Sequence, residues 1–225
     1  MIKPTLKRPC RICATGVLFT LVAGCSALHP TAVEQPSFYS LDNVRTETRA
    51  TMPAPAPSAL PITAPTLIVN PPRAASGFSS QRIVYVREAH QLEYYAHSEW
   101  VDSPARMIAP LIVAAVGNSR SFRAAVLTPS AANGDLRLDT EIVRLQHDLS
   151  GKPGNVRFTL RATIVDNTTR KVLARSEFDE TIASASDDPY GGVIAANRAV
   201  QVVLEQLVGF CSETAARWQP AAAQN

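Results

Sequence analysis

Apolar positions recur along this chain with two different periods, and the changes of period mark its elements. Met107, Ile108, Leu111, Ile112, Ala115 and Val116 fall on one stripe of a helix. Ser103-Pro104 supplies an N-cap residue with proline at the first helical position, and Gly117-Asn118 marks the end. Pro110 lies inside that stripe and should kink or shorten the helix. A second stripe, Val193, Ala196, Val200, Val203, Leu204, Leu207 and Phe210, predicts a helix from Asp188 or Pro189 to about Cys211. Asn197, Arg198, Gln201 and Glu205 sit on its opposite face.

Between the helices the period drops to two. Leu136, Leu138, Thr140 and Ile142 alternate, then the phase slips to Val143, Leu145, His147 and Leu149, as a β-bulge would require. Gly151-Lys152-Pro153-Gly154 turns the chain. Val156 to Ile164 alternates cleanly, Asp166–Arg170 turns again, and Val172, Ala174, Ser176 and Phe178 return. This predicts an antiparallel meander with one buried face. Phe122–Leu127 is a further short candidate strand. Before the first helix, Arg82–Val86 and Leu92–Tyr95 flank a polar turn and read as a hairpin, with Thr66–Val69 a strand ahead of it. The expected fold is α+β, an α/β sandwich: a mainly antiparallel or mixed sheet with two helices packed on one face.

The N-terminal quarter follows other rules. Residues 1–24 combine a basic start, an apolar stretch from Ala14 to Ala23 and small residues before a cleavage point, the three parts of a secretory signal. They end in Leu21-Val22-Ala23-Gly24-Cys25, which resembles the bacterial lipobox. The resemblance implies a diacylglyceryl group on the Cys25 thiol, cleavage after Gly24 and N-acylation. Ser26 at the next position, rather than Asp, favours sorting to the outer membrane. From Pro30 to Pro72 there are nine of the seventeen prolines. A stretch of that composition is extended or disordered. Residues 25–64 therefore read as a lipidated Pro/Ala-rich tether, with a short strand at 38–42 left open. The folded domain then spans 65–213, and 214–225 is a mobile tail.

Charge and chemistry narrow the function mainly by exclusion. The formal net charge is +3, but four of the 22 basic residues (Lys3, Lys7, Arg8, Arg11) lie in the signal, leaving 18 against 19 acidic. The basicity belongs to targeting, and no nucleic-acid partner is expected. Cys10 and Cys13 form a C-x-x-C inside the discarded signal. With Cys25 lipidated, Cys211 alone remains, on an apolar helix face where burial is its expected role. There is no G-x-S-x-G elbow, no H-E-x-x-H and no phosphate-binding glycine loop. His29, His90, His97 and His147 lack metal-ligand spacing, and His97 and Asp102 flank Trp100 in an expected solvated loop. No enzyme activity, cofactor or metal is expected. The informative cluster is aromatic: Tyr85, Tyr94, Tyr95 and Trp100 fall within sixteen residues. Tyr94 and Tyr95 must point to opposite sheet faces, so at least one is expected outside the core.

Phe38-Tyr39-Ser40-Leu41 behind the lipobox, Phe78…Arg82-Ile83-Val84-Tyr85, Tyr94-Tyr95…Trp100…Pro104, and Ala195-Ala196-Asn197-Arg198-Ala199-Val200 together resemble the ABC-type transport auxiliary lipoproteins. The resemblance runs from about Pro36 to Phe210 and departs at Phe210, where members often carry tryptophan. It implies a non-catalytic, lipid-anchored protein on the periplasmic face of the outer membrane. Its partner would be the MCE (mammalian-cell-entry) domain protein of an ABC lipid transport system, and a homo-oligomer is left open. Arg82, Tyr85, Tyr94, Tyr95 and Trp100 are the candidate partner-binding residues. The alternative is a lipid-binding or outer-membrane assembly lipoprotein that holds a ligand between sheet and helices. The anchoring expectation has a direct test. Cys25→Ala should abolish labelling by radioactive palmitate, and Ser26→Asp should shift the protein toward the inner membrane on a density gradient.

Overall fold

The computed structural model describes residues 35–42 and 64–220, and the folded unit begins at Pro36. In chain order it contains β1 (Ser37–Tyr39), β2 (Thr66–Val69), β3 (Arg73–Ala74), β4 (Arg82–Val86) and β5 (Glu93–Trp100). There follow α1 (Pro104–Gly117), β6 (Ala124–Leu127), β7 (Leu136–Asp148), β8 (Asn155–Asp166), β9 (Val172–Ala183) and α2 (Pro189–Arg217). The nine strands form one mixed sheet organised by β7. One edge of β7 pairs along its whole length with β8, antiparallel, and β9 continues the meander. The other edge is tiled by three short parallel strands: β2 against Leu136–Leu138, β3 against Glu141–Ile142, and β4 against His147–Asp148.

The phase slip expected at Val143 is there. The β7–β8 register shifts between Ile142 and Arg144. Leu136, Leu138, Thr140 and Ile142 are buried before it, and Leu145 and His147 after it. One unpaired residue thus keeps both halves of β7 facing the same core. That core is roofed by the helices, with Ile108, Ile112 and Val116 from α1 and Val200, Val203, Leu204 and Leu207 from α2. Cys211 lies among them, and burial pushes its thiol up to about 12, which keeps it protonated and inert.

Several local expectations are revised. Of the two outcomes expected for Pro110, shortening does not occur: α1 runs through it to Gly117, with both Pro110 and Arg106, whose carbonyl it cannot serve, exposed to water. Ser103 occupies the N-cap without a side-chain capping bond, whereas the Asp188 side chain accepts from the Gly191 amide and caps α2. α2 continues past Cys211 to Arg217, burying Thr214 and Ala215 beyond the boundary expected at 213. Trp218 then donates from its indole nitrogen to Asp166 at 2.8 Å. By length and composition α2 could cross a membrane, but its apolar face is already covered by the sheet.

The segment 36–42 is part of the domain. β1 pairs in parallel with Ser98–Trp100 of β5, and Leu41 enters the core. The Asn197 side chain, expected on a solvated face, holds the segment. Its Oδ1 accepts from the Asp42 amide at 2.8 Å, and its Nδ2 donates to the Ser40 carbonyl at 3.1 Å. The intervening Pro/Ala-rich residues 43–63 lie outside the described residues.

Three substitutions check this packing by urea unfolding. Leu204→Ala should cost about 2–5 kcal/mol through lost transfer and cavity terms, and Gln201→Ala close to nothing. Asn197→Ala should cost about 1–2 kcal/mol and make the backbone near Ser40 the first site of limited proteolysis. Equal effects of Leu204→Ala and Gln201→Ala would mean that the helix faces are misassigned.

Candidate docking hairpin and the histidine behind it

β4 and β5 form the expected hairpin, paired Arg82↔Glu99, Val84↔Tyr94 and Tyr85↔Glu93 with an irregularity near Ile83. β5 is longer than its aromatic half predicts and runs through His97, which is on a strand rather than in a loop. Asp102 instead pairs with Arg106 one turn into α1, at 3.0 Å. Strand alternation, with its phase reset by the register shift in the β4–β5 pairing, divides the five candidate partner-binding residues between two environments.

Arg82 and Tyr94 share the outer face. Tyr94 is 37% exposed, and the Arg82 guanidinium lies 5.1 Å from its ring centre, a cation–π geometry open to solvent. Leu92, also exposed, immediately precedes β5. Trp100 is the correction: at 3% exposure it belongs to the core under the helices and can anchor no partner. Tyr85 and Tyr95 face inward and are half-buried. Their rings are 4.5 Å apart, and the Tyr85 hydroxyl donates to Glu93. Arg87 completes that group with a bidentate contact to Glu93, which holds the carboxyl below its usual range.

Behind Tyr95 lies a polar chain that sequence spacing gave no reason to suspect. The Tyr95 hydroxyl is 2.9 Å from Nδ1 of His147, and Nε2 of His147 is 2.9 Å from the Ser184 hydroxyl. Both ring nitrogens of a nearly inaccessible histidine are therefore satisfied. Gly192 makes room for it: a Cβ there would sit 2.6 Å from Nδ1. Burial holds His147 below the ordinary imidazole range against the opposing pull of Asp187, Asp188 and Asp148, and burial raises Tyr95 to about 12. A hydroxyl beside an imidazole suggests a nucleophile and its base. Ser184 and His147 are both buried, however, and no carboxylate orients the second nitrogen. The chain fixes β5 to β7 and to the approach to α2. Among the described residues no group of three His, Cys, Asp or Glu side chains is placed to hold a metal.

A mixed sheet covered on one face by two helices defines an α+β sandwich, and comparison gives it a family. The model of the ABC-type transport auxiliary lipoprotein component matches residues 46–208, and the chain belongs to that family. Among solved structures, it is similar to the protein XCC0632 from Xanthomonas campestris, of family DUF330. Identity is 22% and the TM-score 0.66, over 84% of this chain and 100% of that one. It is also similar to an uncharacterized protein at 12% identity and a TM-score of 0.59, over 79% of this chain and 99% of the other. At these identities the two structures bear on the fold alone. No curated protein matches the chain.

The neutral His147 has a consequence for stability. Because its native pKa is depressed, the unfolded chain takes up the proton first as pH falls below about 6.5. Stability should decline from pH 7 to pH 5, ahead of the carboxylates Asp166 and Asp179, whose lowered pKa values act only in more acid solution. In His147→Gln the urea midpoint should vary less over that interval. An unchanged slope would show that His147 is not held neutral.

Proposed function

We propose that the protein is a non-catalytic outer-membrane lipoprotein, anchored through Cys25 and retained by Ser26, that serves an MCE-type ABC lipid transport system from the periplasmic face. The observation that carries this is the family match over 46–208, and the likeness of Leu21–Cys25 to a lipobox, ahead of that region, supports it. Auxiliary proteins act by contact, and the hairpin offers a contact of the right kind. Arg82 stacked on Tyr94 is a solvent-facing aromatic–arginine pair, the chemistry enriched in interface hot spots. The rigid Tyr85–Tyr95–His147 group behind it presents that pair with little ordering cost on binding.

The alternative, a ligand held between sheet and helices, has little volume to use beneath the hairpin among the described residues. A cavity there, lined by Ile83, Trp100, His147, Val156, Gly192 and Ala196, measures about 10 Å³. That is room for about one water molecule and not for an acyl chain.

Tyr94→Ala and Arg82→Ala should each weaken pull-down of the MCE-domain partner about tenfold, corresponding to ~1.4 kcal/mol. Their thermal midpoints should stay within a few degrees of the parent. Trp100→Ala should instead unfold the domain. If pull-down is lost only in variants that unfold, the docking surface lies elsewhere.

A further inference from the structure

The described residues expose eight large apolar side chains, and four of them gather around β1. Phe38 (59% exposed) projects from one face of the strand. On the other face the Tyr39 ring lies 6.5 Å from that of Tyr190 (62% exposed), the second residue of α2. Ile194, exposed, is one turn further along the same helix face. Val101, also exposed, donates its amide to the Tyr39 carbonyl at 2.8 Å, just past the end of β5. Two aromatic rings and two aliphatic chains thus surround an edge strand on both faces, which forms a blunt apolar apex rather than a groove.

The back of the sheet is the opposite kind of surface. Arg161 bridges Glu141 and Glu177, at 2.9 and 2.8 Å, and Arg157 is bidentate to Asp179. A face laced with ion pairs resists dehydration, because each separated charge would lose its hydration without gaining a new partner.

We infer that the apex formed by Phe38, Val101, Tyr190 and Ile194 rests on the lipid bilayer, at the depth of the headgroups and first acyl carbons. The inference rests on the reading of Cys25 as lipidated. The occupant is decided by chain length: Ser37 follows Cys25 by twelve residues, which span at most about 43 Å whatever their conformation. A domain held on so short a leash keeps β1 at high local concentration over the bilayer. Phenylalanine and tyrosine rings flanked by aliphatic chains suit the interfacial zone. The shallow depth also leaves the unpaired edge of β1 within reach of water.

The test uses the full lipidated chain in phosphatidylethanolamine/phosphatidylglycerol vesicles containing a lipid brominated near the top of the acyl chain. Tyr190→Trp places a fluorophore in the apex, and Val172→Trp places one on exposed β9 as a control. Flotation is scored first, and then quenching above the background of the parent tryptophans. We expect both variants to float and Tyr190→Trp alone to be quenched, at least twice as strongly as the control. Failure to float overturns the anchor and this inference with it. Flotation with equal quenching overturns the apex while leaving the anchor intact. Shielding of Tyr190→Trp from aqueous acrylamide without bromine quenching would mean that protein, a second copy or a partner, covers the apex, which also overturns the proposal.

Discussion

The fold depends on a single strand having a side-chain period it cannot violate. β7 is the seam of the sheet, with a full-length antiparallel partner on one edge and three short parallel strands on the other. Each short strand is too brief to hold a register by its own ladder. Its position is set by which β7 residues face the core. A one-residue slip of β7 would turn Leu136, Leu138 and Ile142 to the solvent side and carry β2, β3 and β4 out of register together. The bulge at Val143 is the device that prevents this, since without it the His147 end would face the wrong way. Placement of His147, and hence of the hairpin it buttresses, is thus a consequence of an irregularity several residues away.

Legibility in the sequence follows the same distinction. The helices and the β7–β8–β9 meander are long, periodic and locally determined, so alternation alone reveals them, bulge included. β1 and β3 hold three and two residues, too few to show a period, and they exist because β5 and β7 offer free edges. The second half of β5, Ala96-His97-Ser98-Glu99, reads as polar loop but is held in the sheet by β1 and β4. Asn197 is the sharpest case. On a helical wheel it belongs with Arg198 and Gln201 in water, yet its partners lie about 155 residues earlier in the chain.

The candidate site shows the same limit in a different form. Alternation requires that Tyr94 and Tyr95 part company, and they do. It cannot say which one turns inward, because both are tyrosine. The answer comes from β7: His147 stands behind Tyr95, and a buried imidazole needs a hydroxyl partner that the outer face could not supply. Trp100 is fixed by a related constraint. It pairs with Tyr39, on the face covered by the helices, so its indole is committed to the core by the strand that also positions Phe38.

These commitments separate the two surfaces left for function. β5 links them physically: Tyr94 lies in its first half, and its last residues pair with both Arg82 and β1. Neither surface can shift independently, because the strand between them is pinned by Tyr95 to His147 and by Trp100 to the core. An adaptor that must stay seated on β1 while engaging a partner through the neighbouring Arg82–Tyr94 pair gains from a strand held this firmly, since thermal tilting at the seat would otherwise blur the position of the docking pair. The buried, fully bonded histidine then has a mechanical reason to exist. It joins β5 to β7 by a directional contact where apolar packing alone would allow sliding, and it does so without a charge that would need an ionic partner in the core.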